Sequence, residues 1–333
     1  MSEFASKEEN PTASSVDQEK EILSTASDQS PAAHAESENV KMEEEVTAVF
    51  VENDALPENG DIDDGTSANN ATVDTIASTG TPATEVTKTG ETPFDNSFYT
   101  NCTKENYDKL REEVQDDSFT DTAYLRFLTA LNQDVGKACA SMKKNSEWRK
   151  EKNVYEIDIN RDCPHQVANG LLIYRDDLFD YKKRPVFYNV IRRHDKNDRS
   201  IDELEKFIVG NIMMGVSRAV PQEEKIVIIL DLKGFTMQNM DFEGTKLLID
   251  LLQKRFPENL GNLHILNAPF IFQACWTVIR PWIDKNTVKK VCFVNTEQLN
   301  QYLDVSTLPK EVTKEYDQQF KDALAAIKNQ EAK

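Results

Sequence analysis

The sequence lacks any run of 18 apolar residues, so no segment predicts a helix that crosses a membrane. It contains no GxSxG, no Walker loop and no HExxH, which removes the usual signatures of a serine hydrolase, a P-loop enzyme and a zinc protease. The five cysteines include no CxxC pair, and the four histidines have no metal-ligand spacing. We therefore expect no catalytic activity and no metal site, and the scattered cysteines fit a reduced, cytosolic setting.

Charge is spread unevenly along the chain. Of the formal net charge of -19, residues 1–90 carry -16 from 20 Asp/Glu and 4 Lys/Arg, which leaves -3 for the rest. With only Phe4 and Phe50 as aromatics, this part cannot bury enough apolar surface to offset chain entropy, so residues 1–91 are predicted to be a disordered acidic tail. No basic stripe points to nucleic acid as a partner. The acidic start predicts neither a secretory signal nor a transit peptide, and we expect a cytoplasmic protein.

Hydrophobic periodicity divides the remainder into three parts. Helices over 104–117 and 121–151 predict a helical N-terminal module, residues 92–153. Strands then alternate with helices over 154–305, which predicts an α/β domain with a mostly parallel sheet. The predicted strands are Leu171–Tyr174, Val186–Val190, Ile226–Leu230, Leu263–Leu266 and Val291–Val294, and the helices between them are Ile201–Ala219, Asp241–Phe256 and Phe270–Ile283. Residues 306–333 predict a polar C-terminal helix.

The segment Phe270–Ile283 is the most informative, because apolar side chains point almost all the way round the predicted helix. A surface helix of a soluble protein normally keeps one polar face. The segment must therefore be buried, cover an apolar cavity or contact a membrane, and a plain core helix is the alternative. A polar turn with Thr287, Lys289 and Lys290 follows it.

Two further features allow a catalytic interpretation but favour a structural one. Asp231-Leu232-Lys233-Gly234 closes a buried strand, and without a nucleophile beside it we expect a salt-bridged turn in which Gly234 has a positive φ. Among the histidines, His264 alternates along a strand and is the one expected to line a cavity.

Eight motifs, in this order and spacing, resemble the CRAL-TRIO (Sec14-like) lipid-binding family over about residues 100–305. They are Leu125–Leu128, Trp148–Lys150, Arg184–Tyr188, Leu230–Gly234, Phe256–Gly261, Asn267–Phe270, Ile279–Asp284 and Thr287–Lys290. The resemblance implies a non-enzymatic lipid-binding or lipid-transfer protein. Its helical module would lie on an α/β domain whose sheet floors an apolar pocket, and a mobile helical gate, Phe270–Ile283, would close that pocket. It implies a bound lipid in place of a cofactor and transient contact with a membrane surface, and we expect a monomer.

The same resemblance implies particular site residues. In phosphatidylinositol-binding members a Glu, a Thr and a Lys contact the inositol phosphate, and the matching residues are Glu258, Thr287 and Lys290; a solvated turn with an ordinary lysine is the alternative. The expected pocket and gate residues are Phe270, Phe272, Trp276, Ile279, Trp282, Ile226, Ile228 and Tyr188.

Two departures from the family pattern widen the choice of ligand. Leu131-Asn132 replace a basic pair, which removes one cationic phosphate contact. Ile226 and Ile228 replace a Ser and a Thr of phosphatidylcholine-binding members, so choline lipids are not expected. A sterol, an isoprenoid or a porphyrin is the alternative ligand, with His264 or Tyr188 as an iron ligand in the last case.

Three functions therefore compete. The first is transfer or presentation of phosphatidylinositol, and the second is binding or sensing of another hydrophobic ligand. The third is a regulator whose acidic tail is the working part and whose domain only senses membranes. Arg280, Lys285, Lys289 and Lys290 cluster beside the gate and would attract anionic headgroups, with simple solubility as the alternative.

Overall fold

A computed structural model of the protein describes residues 94–309 and 314–331. The predicted acidic tail, residues 1–91, lies outside these ranges. The described part begins with three helices, α1 (Lys104–Val114), α2 (Asp121–Ala130) and α3 (Val135–Glu151). Side-chain oxygens of Thr103, Thr120 and Asp134 accept hydrogen bonds from backbone N–H groups in the first turns and so fix where each helix begins. Their apolar faces meet around Leu110 and Phe127, both almost fully buried.

The rest of the described chain alternates strands and helices. Two short helices, α4 (Ile159–Asp162) and α5 (Pro164–Ala168), lead into it. The larger elements are β1 (Leu172–Phe179), β2 (Pro185–Val190), α6 (Ile201–Arg218), β3 (Ile226–Asp231), α7 (Phe242–Asp250), β4 (Leu260–Leu266), α8 (Ile271–Ile279), α9 (Lys285–Val288), β5 (Val291–Val294), α10 (Thr296–Leu299) and α11 (Lys314–Glu331). A π-helical turn, Leu251–Arg255, extends α7, and a 3₁₀ turn, Arg280–Trp282, extends α8.

The five strands form one sheet in the order β1-β2-β3-β4-β5. The first pair is antiparallel and the three others are parallel. The predicted α/β class with a mostly parallel sheet is therefore confirmed. Ile226–Asp231 lies at the centre and is buried over almost its whole length, as its aliphatic run predicted.

The two faces of the sheet have different coverings. One face packs against α6, α7 and the π-helical turn, through Phe187, Ile226 and Ile228 among others. The opposite face packs against Leu178 and the segment after β5, where Leu299 and Leu303 are fully buried. The helices after β2, β3 and β4 thus gather on one side, and the space between them and the sheet is where a ligand site can form.

A buried ion pair joins the helical module to the α/β part. Arg126 of α2 donates from Nε to Glu224 at 2.9 Å and from Nη1 to the carbonyl oxygen of Pro257 at 2.9 Å and to Asn259 Oδ1 at 2.5 Å. The hydroxyl of Thr120 donates to the other Glu224 oxygen at 2.5 Å. Arg126 and Asn259 come from two of the recognised motifs. These two motifs therefore have a structural role, because their residues form a clamp between the helical module and the α/β part.

Several element boundaries differ from the predicted ones. The strand predicted over Leu171–Tyr174 runs to Phe179, and the strand predicted from Leu263 begins at Leu260. The predicted C-terminal helix over 306–333 is observed as Lys314–Glu331, after a 3₁₀ turn at Val305–Thr307. Gly234 has the positive φ expected, +78°. The Asp231 carboxylate is held there by Tyr188 Oη at 2.6 Å and by Asn267 Nδ2 at 2.8 Å, which supports the structural interpretation of this turn.

Candidate functional site

A cavity of about 230 Å³ lies between the sheet and helices α6, α7 and α8. A single water needs only about 10–15 Å³ on such a measure, so the cavity has room for a far larger ligand. Its walls are predominantly apolar. They include Phe187, Phe207, Ile212, Ile226, Ile228, Leu230, Leu248, Leu263, Ile265, Phe272, Trp276, Ile279 and Ile283. Such a surface suits a hydrocarbon chain, because leaving it in contact with water is unfavourable.

Helix α8 forms one wall of this cavity and is the gate helix of the prediction. Phe272, Trp276 and Ile279, three of the expected pocket and gate residues, line the cavity. The helix is not apolar all round, however, because Gln273, Thr277 and Arg280 form an exposed polar stripe. The helix therefore has an inner face toward the cavity and an exposed outer face, as a lid would.

Two expected gate residues lie elsewhere. Phe270 precedes the first turn of α8, is 63% exposed and does not line the cavity. Trp282 lies in the 3₁₀ turn after α8 and packs edge-on against Phe242, with ring centroids 6.1 Å apart. Trp282 thus anchors the end of the lid and is absent from the cavity wall.

The strand floor matches the prediction for β3 but not for β2. Ile226 and Ile228 line the cavity, which makes this wall apolar. Tyr188, by contrast, lies on the opposite face of the sheet, where it packs with Val186 and Val190. Every second residue of a strand faces the same way, so Phe187 rather than its neighbour reaches the cavity.

Glu258, Thr287 and Lys290 lie close together at the β4–β5 end of the cavity. Lys290 Nζ is 2.8 Å from Glu258 Oε2, and the Lys290 backbone N–H donates to the Thr287 carbonyl at 2.9 Å. Thr287 also lines the cavity. Burial of Asp284 opposes its ionisation, but hydrogen bonds from Thr287 lower the pKa of this carboxyl below its ordinary value. The three sequence-predicted headgroup residues are therefore brought together beside one end of the apolar cavity, with Thr287 in its wall.

Lys225 is a second lysine in this region, and sequence reasoning missed it. Burial lowers the pKa of its ammonium group, and the positive charge of Lys290 lowers it further, while Glu223 and Glu258 oppose the change. Its Nζ lies 5.3 Å from the centre of the Tyr99 ring. Lys225 directly precedes the buried strand β3, and this position was the signal available in the sequence. The starts of parallel strands lie at the same end of the sheet, so a residue just before β3 is expected near those just before β4 and β5.

Gln253 ties the end of the lid to the π-helical turn. Its Nε2 donates to the Trp282 carbonyl at 3.2 Å, and its Oε1 accepts from the Asp284 backbone N–H at 2.9 Å. Gln253 also lines the cavity. Single π-helical turns are uncommon and often occur at functional sites. One side chain therefore borders the cavity and also holds the segment that follows α8.

His264 was expected to line a cavity, and the structure contradicts this. It lies on β4 between two cavity residues and so faces the other side of the sheet, fully buried, with its ring centre 4.4 Å from that of Tyr302. Burial lowers the pKa of this imidazole to about 4. Neither His264 nor Tyr188 can therefore ligate a porphyrin in the cavity. In the described ranges, no group of three or more His, Cys, Asp or Glu is placed to hold a metal ion.

The helices of the described chain include none long and apolar enough to pass through a bilayer. Phe270 and Phe293 are large exposed apolar residues on the lid side of the sheet, where Phe293 packs 5.3 Å from the Trp276 ring.

Comparisons with known proteins agree with this architecture. The family model described as CRAL/TRIO domain matches residues 170–313. A CRAL-TRIO domain-containing protein of Schizosaccharomyces pombe is 32% identical over 228 residues, which are 64% of this chain and 51% of that protein. The phosphatidylinositol transfer protein CSR1 of Eremothecium gossypii is 28% identical over 209 residues, 58% of this chain and 47% of that protein.

Two further similarities complete the comparison. The SEC14 cytosolic factor of Eremothecium gossypii is 27% identical over 216 residues, 59% of this chain and 70% of that protein. The crystal structure of Sfh5 superimposes with a TM-score of 0.50 at 18% identity and covers 72% of this chain and 99% of that structure, which shows a shared fold. The chain spans about half the length of the first two relatives named.

Proposed function

We propose that this chain, which belongs to the CRAL-TRIO (Sec14-like) family, binds phosphatidylinositol or a related phospholipid in its cavity and transfers or presents it at membranes. The observation that carries the proposal is an apolar cavity with a helical lid and a Thr–Lys–Glu cluster at one mouth. Two relatives named as a phosphatidylinositol transfer protein and a SEC14 cytosolic factor support it. The function involves no covalent chemistry.

The apolar wall makes exchange with a bilayer energetically easy. A lipid tail leaves one hydrocarbon environment and enters another, and each CH₂ group contributes ~0.8 kcal/mol relative to water in both places. The bound and membrane states are therefore of similar free energy. The barrier is displacement of α8, a conformational step of the kind that limits many lid-gated proteins.

The cluster at the mouth offers complementary groups to an inositol phosphate. Lys290 supplies a positive charge for the phosphate, the Thr287 hydroxyl supplies a donor, and Glu258 accepts hydrogen bonds from ring hydroxyls. In the structure Lys290 is paired with Glu258. A phosphate entering here would share the Lys290 ammonium group, whose three N–H donors permit two acceptors at once.

Transient docking would use the outer side of the lid. Phe270 and Phe293 are 63% and 44% exposed, and Arg280, Lys285 and Lys289 are exposed close by. Apolar rings can enter the headgroup region, while each basic residue contributes about 1 kcal/mol near an anionic leaflet. This combination suits a brief visit to a membrane surface from the cytoplasm.

Two neighbouring lysines provide a matched test of the headgroup cluster. Lys290 faces the cluster, whereas Lys289 is exposed and makes the control. We expect Lys290→Ala and Thr287→Ala to lower the rate of phosphatidylinositol transfer between vesicles about tenfold or more, since a hydrogen bond to a charged group contributes roughly 1.5–3 kcal/mol. Lys289→Ala should change it less than about threefold, as expected for an exposed charge. Equal effects at both lysines would contradict the headgroup assignment.

A second candidate function is storage or sensing of a different hydrophobic ligand. It is favoured by Ile226 and Ile228, both buried in the cavity floor. Mass spectrometry of lipids extracted from protein purified from a eukaryotic host separates the two. Stoichiometric phosphatidylinositol supports the first proposal, and a sterol or other neutral lipid supports the second. The proposal of a tail-based regulator concerns residues outside the described ranges, and deletion of residues 1–90 tests it.

A further inference from the structure

The cavity lining includes three asparagines. The Asn239 amide is already used by the protein, since its oxygen accepts from Thr236 and its nitrogen donates to the Arg192 and His194 carbonyls; the other two lie away from the Lys290 cluster. Asn189 of β2 and Asn211 of α6 both line the cavity. Asn189 Nδ2 donates to the carbonyl oxygens of Phe187 at 3.3 Å and of Ile229 at 3.2 Å. Asn211 Nδ2 donates to the carbonyl oxygen of Phe207 at 2.7 Å.

These contacts fix the orientation of both amides. A backbone carbonyl can only accept a hydrogen bond, so the atom facing it must be the nitrogen. The two Oδ1 atoms are then left without a donor among the residues that the structure describes. Each amide therefore presents a hydrogen-bond acceptor, while at least half of its donating capacity is already used by the protein.

The packing of α6 against β2 shows where the two asparagines lie along the cavity wall. A Cβ on Gly215 would lie 2.5 Å from Phe187 Cε2, so the helix touches β2 at this point. As the connection between two parallel strands, α6 runs back along the sheet. Four helix residues from Gly215 to Asn211 span about 6 Å, and two strand residues from Phe187 to Asn189 span about 6.6 Å. Both side chains therefore reach the same part of the wall.

A histidine near this end of the cavity adds a third acceptor. His194 is 8% exposed, lines the cavity and contacts Asp241 Oδ2 through Nε2 at 3.0 Å. Burial of Asp241 favours protonation, but hydrogen bonds from His194 and Arg199 outweigh it and lower the pKa of this carboxyl. The Asp241 carboxylate only accepts, so His194 Nε2 carries the proton. In neutral His194 the lone pair is on Nδ1, which has no partner in the described chain.

No lysine or arginine belongs to the described cavity lining, so no such cation there neutralises the negative charge of a phosphate. Asn189 is on β2, whereas Thr287 lies in α9, which leads into β5. The strands β2 and β5 are three strand spacings apart, or about 14 Å. This end is therefore separate from the Lys290 cluster and differs from it in charge. A buried acceptor is best satisfied by an uncharged donor, and the simplest donor on a lipid is a hydroxyl group.

We propose that Asn189 and Asn211 form a hydrogen-bond-accepting subsite that selects an uncharged lipid with a hydroxyl group at its buried end. The inference rests on the proposed lipid-binding function of the cavity but not on phosphatidylinositol as the ligand. A lipid whose terminal group is an ester or a ketone would place one acceptor against another. Sites that pair with a ligand hydroxyl discriminate strongly against analogues that lack it.

The test compares alcohols with carbonyl analogues of the same skeleton. Isotopically labelled cholesterol and its 3-ketone, and 1-octadecanol and octadecanal, are offered from phosphatidylcholine vesicles to the full chain. The protein is then repurified and bound lipid is quantified by mass spectrometry. We expect at least one alcohol to bind about tenfold more tightly than its carbonyl analogue. If neither alcohol is preferred by the unaltered protein, the proposal is wrong, whatever the variants do.

Variants locate the effect within the cavity. Asn211→Leu should reduce the preference to less than threefold, since Leu keeps the volume and removes the acceptor. Thr245→Val is the control, because Thr245 lines the cavity but its hydroxyl already donates to the Asp241 carbonyl at 2.7 Å. Thermal unfolding of each variant verifies that it is folded, and Asn189→Leu replaces Asn211→Leu if the latter is not. A preference unchanged in both would also overturn the assignment to these residues.

Phosphatidylinositol transfer, measured in parallel, separates this inference from the proposed function. Transfer without any alcohol preference refutes only the Asn189–Asn211 subsite. An alcohol preference without transfer supports the subsite and refutes phosphatidylinositol as the ligand. Absence of both refutes the two together.

Discussion

Replacing Arg126 by methionine tests the clamp between the helical module and the sheet. Arg126 and Glu224 are 4% and 5% exposed, so the substitution leaves a carboxylate buried without its cation. It also removes donors from the Pro257 carbonyl and from Asn259. Breaking a buried pair of this kind costs about 3–5 kcal/mol of the free energy of unfolding. For a domain of this size, that corresponds to a fall in Tm of roughly 6–20 °C.

Urea unfolding followed by tryptophan fluorescence measures the change. Arg111→Met is the matched control, since Arg111 pairs with Asp121 on the surface and both are about half exposed; its cost should stay within about 1 kcal/mol. The double variant Arg126→Met/Glu224→Gln has no buried charge left at this site. It should therefore recover about half or more of the unfolding free energy that Arg126→Met alone loses. The reasoning is refuted if Arg126→Met costs no more than Arg111→Met, or if the double variant is less stable than the single one.

Three further predictions concern the lid, a buried histidine and a close helix–strand contact. Gln253→Leu removes two hydrogen bonds of about 1 kcal/mol each that hold the segment after the lid, so the lid should open more easily. Lipid exchange measured with vesicles should then be up to about tenfold faster. Slower exchange would contradict the idea that Gln253 holds the lid closed. Because the folded pKa of His264 is about 4 and the unfolded value about 6.5, the unfolded state binds more protons between these values. Stability should therefore fall by up to about 3 kcal/mol as pH drops from 6.5 to 4, and the urea midpoint of His264→Phe should depend less on pH. Gly215→Ala forces a Cβ against Phe187 and should cost about 1–3 kcal/mol in thermal unfolding, whereas Gly136→Ala, whose nearest neighbour is 3.6 Å away, should not destabilise the fold.

The sequence predicted elements best where their burial is uniform. Ile226–Leu230 is aliphatic throughout because both faces of β3 are covered, and the observed strand differs by one residue. The start of β4 was missed because Gly261 and Asn262 are poor strand formers; in the structure the ladder begins at Leu260 and resumes at Asn262 after a register shift that skips Gly261. The π-helical turn has no local signature, since tertiary packing determines it.

Side-chain direction was harder to predict than element type. Residues of β2 are buried on both faces, so no alternation showed whether Phe187 or Tyr188 faced the cavity. The polar stripe of α8 was overlooked because Gln273 and Thr277 are few among many apolar neighbours. The proximity of Glu258 and Lys290 came only from the family resemblance, because their contact spans 32 residues.

The consecutive order of the strands has a consequence for how the chain assembles during synthesis. Each strand pairs with the one made immediately before it, so the sheet can grow one strand at a time as the chain leaves the ribosome. The lid and β5 come last among the cavity walls. Helices α6 and α7 are made before the lid, but the opposite face of the sheet is covered only when Leu299 and Leu303 have emerged. A nascent chain stalled before that point should therefore require a chaperone. The cavity therefore closes at a late and defined moment, which is also the first at which a ligand can be enclosed.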